Sequence, residues 1–169
     1  MSFLEISPWE WETEPMRLIG KSKMILTVRD GERLNSMTVG WGGFGVMWGV
    51  PTIHFAVRPT RYTYELLKKG EACALSLLPV SMALSLSICG IRSGRDGDKH
   101  REAGLTPVEM PCGIWGISEA ETVITAKKLY ASPMRQEDFF DSGLIGRWYA
   151  HEPYHTLYFA AIESIYRRK

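Results

Sequence analysis

Two short stretches of the sequence combine residue types that suit a flat, phosphorylated ligand. The first runs from Asn35 to Gly43 and places amide and hydroxyl side chains, Met37 and Trp41 beside a glycine-rich turn. Small residues allow a planar molecule to lie against the backbone. The second stretch, residues 58–63, carries two arginines three positions apart at a predicted helix start, and both features bind phosphate. The pattern predicts a ligand with a planar ring and a phosphate tail, and flavin mononucleotide (FMN) is one such molecule.

The phosphate prediction rests on the residues around the helix start and on a second, later run. The proline between the arginines fixes the chain, so that Arg58, Arg61 and Thr63 can converge on one anion. The run Ser93-Gly94-Arg95-Asp96-Gly97-Asp98-Lys99 adds a hydroxyl and two cations on a backbone that glycines leave free to wrap an anion. The alternative is that the arginines pair with surface acids such as Glu65 and that the run is a solvated loop. The coincidence of hydroxyl, arginines and helix start favours phosphate binding.

Polar and aromatic residues in the first stretch suit the ring of such a ligand. Asn35, Ser36 and Thr38 offer amide and hydroxyl groups to the polar edge of a flavin. Met37 and Trp41 offer soft or aromatic surface to its face. Taken alone, the same pattern is that of a strand whose polar residues face solvent.

Other catalytic chemistries find little support in the sequence. The histidines are His54, His100, His151 and His155, and none has metal-binding spacing with a cysteine or an acid. His54 is expected to be a core or groove residue of a strand, and His155 stands at the start of the last predicted strand, where a position outside the site is favoured over one at its rim. There is no GxSxG turn, GxGxxG strand–helix motif or P-loop. We therefore predict no metal ligands and no catalytic acid, base or nucleophile.

Length and composition indicate one globular domain without a strong charge of its own. The 169 residues are 45% apolar and 23% charged, with a formal net charge of +1. No global field attracts nucleic acid or an anionic membrane, so any bound anion must be held by a local cluster. The first ten residues lack the basic and apolar segments of a signal peptide. The three cysteines, Cys73, Cys89 and Cys112, lack CxxC spacing and are predicted to be buried free thiols, which favours the cytosol.

The alternation of apolar residues predicts a mainly β protein. Strands are predicted over Met16–Val28, Met37–Gly42, Thr52–Val57, Cys73–Leu78, Ser118–Tyr130 and Tyr154–Ile165. Short helices are predicted over Thr63–Gly70 (with a threonine cap), Ser81–Cys89 and Asp98–Ala103, and a loop over Gly42–Gly45. Six or more strands without regular βα alternation predict a closed or nearly closed antiparallel barrel.

Several motifs in a fixed order resemble the flavin reductase-like, FMN-binding split-barrel family, close to its flavoredoxin branch. The resemblance covers about residues 17–165. The matching pieces are Asn35-Ser36-Met37-Thr38, Trp41-Gly42-Gly43, Val57-Arg58-Pro59-Thr60-Arg61-Tyr62-Thr63, Cys89-Gly90, Ser93-Gly94-Arg95-Asp96 with Lys99, Ala103-Gly104-Leu105-Thr106-Pro107 and Tyr154-His155.

The resemblance implies an antiparallel split β-barrel, an FMN cofactor, a homodimer and electron transfer from NAD(P)H to flavin or to an unidentified acceptor. It implies that Asn35–Thr38 and Trp41 line the ring and ribityl chain. It also implies that the phosphate is surrounded by Arg58, Arg61, Tyr62, Thr63, Ser93, Gly94, Arg95 and Lys99. Residues 16–169 would form the domain, and residues 1–15 an arm whose tryptophans, Trp9 and Trp11, pack against the partner subunit.

Two alternatives remain open at the level of sequence. One is a flavin-binding carrier or sensor without turnover. The other is a related split barrel that holds a different cofactor such as haem, for which only His54 or His155 could be the ligand. The sequence leaves open the roles of the segments 109–117 and 140–152, the preference between NADH and NADPH, and whether flavin is cofactor or substrate.

Overall fold

A computed structural model describes residues 3–169 as a mainly antiparallel β structure with short helices between the strands. The strands are β1 (Phe3–Ile6), β2 (Met24–Asp30), β3 (Arg33–Val39), β4 (Gly42–Met47), β5 (Val50–Val57), β6 (Ala72–Leu77), β7 (Pro107–Glu109), β8 (Trp115–Ile117), β9 (Thr122–Pro133) and β10 (Thr156–Arg168). The α-helices are α1 (Tyr62–Lys69), α2 (Ala83–Ile91), α3 (Lys99–Ala103) and α4 (Ser142–Trp148), and a π-helix spans Arg17–Ser22.

The main sheet follows the order β3-β2-β6-β9-β10-β5-β4, with β1 as an additional partner of β10. One edge of β10 is shared between two strands. Its first half, Thr156–Ala161, pairs with β5, and its last residues pair with β1. Strand β9 pairs along nearly the whole of the other edge of β10, with two register shifts that mark irregularities in the pairing. The predicted antiparallel split barrel is confirmed.

Strand β2 is buried on both faces, and this divides the core into two clusters. Leu26 and Val28 join Phe55 inside the barrel. Ile25, on the opposite face, joins Cys89 and other residues beneath α2 and α3. The even-numbered residues Leu26 and Val28 share one face and the odd-numbered Ile25 lies on the other, as in any extended strand. Burial of a whole aliphatic side chain stabilises the fold by about 1.5–3 kcal/mol, so each face contributes substantially.

Helix α1 anchors the segment that carries the two predicted phosphate-binding arginines. Its apolar residues Leu66 and Leu67 are fully buried against the barrel. The helix confirms the prediction over Thr63–Gly70, but the predicted threonine cap is wrong. The N-cap position is Arg61, which makes no side-chain cap. The Thr63 hydroxyl instead accepts a hydrogen bond from Asn35 Nδ2 at 2.7 Å.

Two predicted boundaries are wrong for steric and packing reasons. Residues 17–22 form the π-helix rather than the start of a strand, because Ile19 turns inward and is buried. Gly42–Gly45 belongs to β4 rather than to a loop. A Cβ on Gly42 would lie 2.1 Å from the His54 carbonyl oxygen, so this glycine serves the close approach of β4 to β5.

Other predicted elements shift by a few residues at their ends. The strand predicted from Ser118 begins at Thr122, and the helix predicted over Ser81–Cys89 runs from Ala83 to Ile91. Of the predicted arm, residues 1–2 lie outside the described residues, while Phe3–Ile6 pair with β10 of the same chain. Trp11 packs edge-on against Phe44 at 5.1 Å.

The three cysteines are free, but they do not share one environment. Cys73 and Cys89 are buried, and Cys112 is exposed, so the prediction that all three are buried is wrong for Cys112. Over residues 3–169 no helix is long and apolar enough to cross a membrane. The same residues contain no group of three or more metal-ligating side chains placed to hold an ion.

Candidate functional site

Four elements meet beside strand β3 and enclose a small cavity with basic walls. Strand β3 supplies Asn35 and Met37, and the start of α1 supplies Arg61 and Thr63. The end of α2 and the loop after it supply residues 89–95, and α3 begins with Lys99. This basic cavity has a volume of about 100 Å³. Its lining residues are Asn35, Met37, Thr60, Arg61, Tyr62, Thr63, Cys89, Ile91, Arg92, Ser93, Gly94, Arg95 and Lys99. Four of them are cationic, and no described aspartate or glutamate lines the cavity.

Lys99 is the most unusual residue of the basic cavity because it is a buried cation. Its side chain is only 5% exposed, and Nζ donates a hydrogen bond to the Arg92 carbonyl oxygen at 3.2 Å. Burial lowers the pKa of Lys99, the nearby Cys89 thiol raises it, and the charge of Arg61 lowers it further. Burying a charge without a counter-ion is costly, so this position calls for an anion.

Arg61 is the second cation of the cavity without an acidic partner. Its guanidinium donates to the Gly90 carbonyl oxygen at 3.0 Å. Within residues 3–169 no carboxylate lies within 4.0 Å of the charged nitrogens of Arg61 or Lys99. Two positive charges therefore face one small space with only backbone oxygens to offset them.

Arg92 and Arg95 are neutralised by carboxylates and serve the cavity differently. Arg92 forms an ion pair with Glu102 at 3.1 Å. Arg95 forms an ion pair with Glu65, the acid named in the alternative reading, and lies over the ring of Tyr62 at 5.2 Å. Among the cations that line the basic cavity in the described part of the chain, Lys99 and Arg61 are therefore the two without a carboxylate partner.

Gly94 fits tightly against Asn35 and Tyr62, which lie on two other elements. A Cβ on Gly94 would lie 2.1 Å from Asn35 Oδ1 and 3.1 Å from a ring carbon of Tyr62. Asn35 is buried, and its hydrogen bond to Thr63 fixes the amide in place. The loop after α2 therefore approaches β3 so closely that only glycine is accommodated, and Ser93 is drawn to the cavity with it.

A second, wider cavity adjoins the first and has aromatic walls. This aromatic cavity has a volume of about 380 Å³. Met37 and Arg61 line both cavities, so the two are contiguous. Its lining residues are Gly20, Lys23, Met37, Thr38, Val39, Gly40, Trp41, Ala56, Arg58, Arg61, Gly90, Trp148 and His155. The Trp41 ring contacts Trp148 edge-on at 4.9 Å and His155 at 4.7 Å.

Arg58 lines the aromatic cavity and does not converge with Arg61 in the basic one. Its guanidinium donates to a carboxylate oxygen of Glu152 at 3.0 Å and to the Trp148 carbonyl oxygen at 3.1 Å. It also lies over the ring of Tyr149 at 5.5 Å. Arg58 thus fastens the segment after α4, which forms one wall of the aromatic cavity.

His155 lies in the wall of the aromatic cavity, although the sequence had favoured a position outside the site and named it otherwise only as a possible haem ligand. Its Nδ1 shares a hydrogen bond with the Tyr149 hydroxyl at 2.9 Å. Burial and the charges of Arg58 and Arg61 lower the pKa of His155 to about 4. The His155 ring is therefore neutral at physiological pH. Its second nitrogen, Nε2, is a hydrogen-bond donor in one tautomer and an acceptor in the other. The Tyr154-His155 pair was the available sequence signal, but only the fold places it beside Trp41.

Two of the predicted ring-binding residues direct their hydroxyl groups into the protein. Ser36 is fully buried, and its hydroxyl is hydrogen bonded with Thr27 and with His100, each at 2.8 Å. Ser36 therefore lines neither cavity. Thr38 lines the aromatic cavity, while its hydroxyl donates to the Leu86 carbonyl oxygen at 2.5 Å. These bonds fix β3 against α2 and α3.

Of the thirteen predicted site residues, the basic cavity gathers Asn35, Met37, Arg61, Tyr62, Thr63, Ser93, Gly94, Arg95 and Lys99. The aromatic cavity gathers Thr38, Trp41 and Arg58, and shares Met37 and Arg61. Lys23, Trp148 and His155 were not predicted as site residues and line the aromatic cavity. Trp148 belongs to the segment 140–152, whose role the sequence had left open.

The fold and the paired cavities define a split-barrel protein with a site shaped for a ring and an anionic tail. The chain matches the model of the flavin reductase-like domain over residues 16–169 and belongs to that family. No curated protein matches the sequence.

Solved structures of low sequence identity share the fold. An FMN-binding domain of a flavin reductase-like enzyme from Shewanella baltica is 12% identical, with a TM-score of 0.71, over 98% of this chain and 77% of that one. Flavoredoxin from Desulfovibrio vulgaris is 20% identical, with a TM-score of 0.68, over 87% and 69%. An NADH:FAD oxidoreductase from Streptomyces globisporus is 13% identical, with a TM-score of 0.66, over 87% and 75%.

Proposed function

We propose that this protein binds FMN and passes electrons from NAD(P)H to the flavin or to a further acceptor. The observation that carries the proposal is the pair of cations, Lys99 and Arg61, that face the basic cavity without a carboxylate partner. A phosphate monoester would supply the missing negative charge. Family membership supports the same ligand class, since the family is named for flavin reduction.

The residues present fit FMN at both ends. At the phosphate end, Lys99, Arg61 and the hydroxyls of Ser93 and Thr63 form a donor set suited to an anion with several oxygens. The close approach of Gly94 to Asn35 leaves no room for a side chain on that wall. At the ring end, the aromatic cavity offers thioether, indole and backbone surface, which suit a planar heterocycle.

When bound, FMN would supply the hydride and electron chemistry, because side chains alone do not carry out such reactions. The chain would bind and orient it. Lys99 and Arg61 would hold the phosphate, and Met37 and Trp41 would lie along the ring. Trp148 lines the same cavity and packs edge-on against Trp41, so it would help to hold that indole beside the ring. We assign no acid, base or nucleophile among the side chains.

One reconstitution experiment tests the proposal. The purified protein is incubated with FMN, desalted, and titrated anaerobically with NADH or NADPH while flavin absorbance is followed. We expect stoichiometric yellow protein whose absorbance near the flavin maximum bleaches with at least one nicotinamide. Yellow protein that neither nicotinamide bleaches would favour the carrier or sensor. A sharp haem band after reconstitution with haem, and no retention of FMN, would contradict the flavin assignment.

We also propose a homodimer, supported by an exposed apolar patch at the β4–β5 hairpin. Trp48 is 61% exposed and lies 6.2 Å from Tyr130, itself half exposed. Val46, Met47 and Val50 on the same hairpin are exposed as well. Contiguous exposed aromatic and aliphatic side chains are typical of a protein interface. Sedimentation of the intact chain and of a chain lacking residues 1–15 would show whether a dimer forms and whether the arm strengthens it.

The proposed compartment is the reducing cytosol. Cys73 and Cys89 are buried as free thiols, and burial raises the pKa of Cys73 to about 12. Such thiols are inert structural residues rather than disulfide partners. Fractionation of cells that express the tagged protein tests this placement.

A further inference from the structure

The loop after α2 is fastened to the start of α1 across the basic cavity. Arg95, on the loop, donates hydrogen bonds to the Glu65 carboxylate and, at 3.3 Å, to the Thr60 carbonyl oxygen. The same guanidinium lies over the ring of Tyr62 at 5.2 Å. Because Thr60, Tyr62 and Arg95 line the cavity, these contacts join one of its walls to the other. Together the three contacts form the Arg95 bridge.

The Arg95 bridge lies on the solvent side of the basic cavity. The side chains of Arg95 and Glu65 are 42% and 47% exposed, whereas Lys99 is 5% exposed. The loop turns back on itself at this point, because the Arg95 backbone N–H donates to the Ser93 hydroxyl at 3.2 Å. A phosphate held by Lys99 would therefore lie inside the bridge, with Arg95 between it and solvent.

The dimensions of the basic cavity limit the kind of phosphate ester that it can enclose. Its volume of about 100 Å³ equals the liquid volume of about three water molecules, at roughly 30 Å³ each. One terminal phosphate group suits this space. The second phosphate and the adenosine of flavin adenine dinucleotide (FAD) would have to continue beyond it.

The path of such a continuation leads past Arg95. The ring end of a flavin would lie in the aromatic cavity, which meets the basic cavity at Met37 and Arg61. Arg95 lines the basic cavity and does not line the aromatic one, so it lies away from this junction. A dinucleotide that keeps its ring in the aromatic cavity must then displace the Arg95 bridge, whereas FMN ends before it.

We propose that the Arg95 bridge selects FMN over FAD and that Glu65 is a positioning residue for this selectivity. The inference rests on the proposed function, which supplies the flavin. Glu65 lines neither cavity and acts through the arginine that it holds. The bridge combines a half-exposed ion pair, one backbone hydrogen bond and one cation–ring contact, each of them modest in strength. The need to break them together should make FAD bind about tenfold more weakly than FMN.

The test compares the dissociation constants of FAD and FMN, measured by calorimetry on the full chain. Glu65→Ala frees Arg95, and the matched control Glu102→Ala frees Arg92, another arginine that lines the basic cavity. Each variant removes one negative charge near the cavity, so both flavins gain alike from that change. We expect FAD to bind about tenfold more weakly than FMN in the wild type and in Glu102→Ala. In Glu65→Ala the difference should shrink to within about threefold.

A double-mutant cycle shows whether Glu65 and Arg95 act as a pair. Arg95→Ala, and the double variant that combines it with Glu65→Ala, should show the same reduced difference as Glu65→Ala alone, because all three lack the same bridge. Additive effects of the two single changes would show that the residues act separately and would overturn the inference. Thermal unfolding of the unliganded variants checks that each is folded.

A second titration does not require a flavin. Inorganic phosphate and pyrophosphate are the probes, because they differ in length as the tails of the two flavins do. Pyrophosphate should gain affinity about tenfold relative to phosphate in Glu65→Ala, and this ratio should stay at its wild-type value in Glu102→Ala.

Three results would contradict the assignment of selectivity to the bridge. The first is equal affinity of the wild type for FAD and FMN, and the second is an unchanged difference in Glu65→Ala. The third is admission of FAD by Glu102→Ala to the same extent, because a general loosening of the loop would then explain the gain. If the wild type binds neither flavin, the proposed function fails, and the phosphate and pyrophosphate titrations still decide whether the bridge is selective.

Discussion

Replacement of Lys99 by methionine removes the buried charge of the basic cavity while it preserves much of the side-chain volume. The lysine is 5% exposed, its pKa is lowered chiefly by burial, and no carboxylate lies near it within residues 3–169. Its neutralisation should therefore not destabilise the protein without ligand. We expect the unliganded variant to be at least as stable as the wild type, apart from one lost hydrogen bond to the Arg92 carbonyl oxygen.

The effect on ligand binding follows from the phosphate group. Loss of one partner of a buried, hydrogen-bonded charge pair costs roughly 2–5 kcal/mol. A value near the lower end, about 2.8 kcal/mol, corresponds to about hundredfold weaker binding of FMN. Riboflavin has the same ring and ribityl chain without the phosphate, so its affinity should change by less than about threefold. Arg61 is exposed, so Arg61→Ala should weaken FMN by a smaller factor, about tenfold.

The assay is a pair of fluorescence titrations, one with FMN and one with riboflavin, on each variant. Arg58→Ala is the matched control, because Arg58 is a nearby cation that contacts Glu152 and Trp148 at the aromatic cavity. It should weaken FMN and riboflavin by similar factors, since it fastens a wall beside the ring rather than the phosphate. Thermal unfolding of the unliganded variants checks that each is folded.

Two results would refute this reasoning. Equal loss of FMN and riboflavin affinity in Lys99→Met would show that the lysine supports the shape of the site rather than the phosphate. Unchanged FMN affinity in both Lys99→Met and Arg61→Ala would show that the basic cavity does not bind the phosphate at all. The first result would leave the aromatic cavity as a ring site, and the second would remove the observation that carries the proposed function.

Three further changes test individual contacts. Gly94→Ala places a methyl group against the fixed Asn35 amide and should weaken FMN about tenfold and lower the Tm, as titration and calorimetry would show. Below pH 6.5 the folded state binds fewer protons at His155 than the unfolded state, because burial lowers the pKa of this ring to about 4. The wild type should therefore lose roughly 1–2 kcal/mol more stability than His155→Gln between pH 7 and pH 4, measured by urea unfolding at each pH. Ser36→Ala leaves the buried Thr27 hydroxyl and the half-buried His100 ring nitrogen without this partner, and it should cost about 1–3 kcal/mol of unfolding free energy, with FMN affinity changed less than about threefold.

Each of these changes has a control or a contradicting result. Gly146 has open space around it, so Gly146→Ala should leave the Tm and FMN binding unchanged. Equal pH dependence in wild type and His155→Gln would show that the ring does not titrate as its surroundings require. A Ser36→Ala variant that loses FMN as strongly as Lys99→Met would place Ser36 at the ligand, against its hydrogen bonds to Thr27 and His100.

The sequence predicted the class of fold and most of the basic cavity because their signals are local. The parity of apolar residues along β2 and the helix over Thr63–Gly70 depend on near neighbours in the chain. The hydroxyls, glycines and cations around Arg61 and Ser93 stand in two short runs, and the fold brings those runs to one cavity. Residue types and spacing were sufficient to predict these lining residues, because neighbours within each short run stay close together in the folded chain.

The remaining features depend on contacts between distant parts of the chain. Gly42 and Gly43 indicated a turn, but the approach of β5 draws them into a strand. Thr63 indicated a helix cap, but Asn35, 28 positions away, takes its hydroxyl as a hydrogen-bond acceptor. A local pattern indicates the conformations and hydrogen bonds that a residue can adopt. Contacts with residues distant in sequence then select one of them.

By itself, the sequence determined an antiparallel barrel, and it predicted a ring-and-phosphate site on β3 and at the start of α1. Only the tertiary structure decided that Lys99 carries a buried charge, that Arg58 turns away to Glu152, and that His155 enters the aromatic cavity. The physical reason is that desolvation and ion pairing depend on the three-dimensional surroundings of a charge. Those surroundings come from β3, α2, α3 and the segment after α4, which the chain brings together only when it folds.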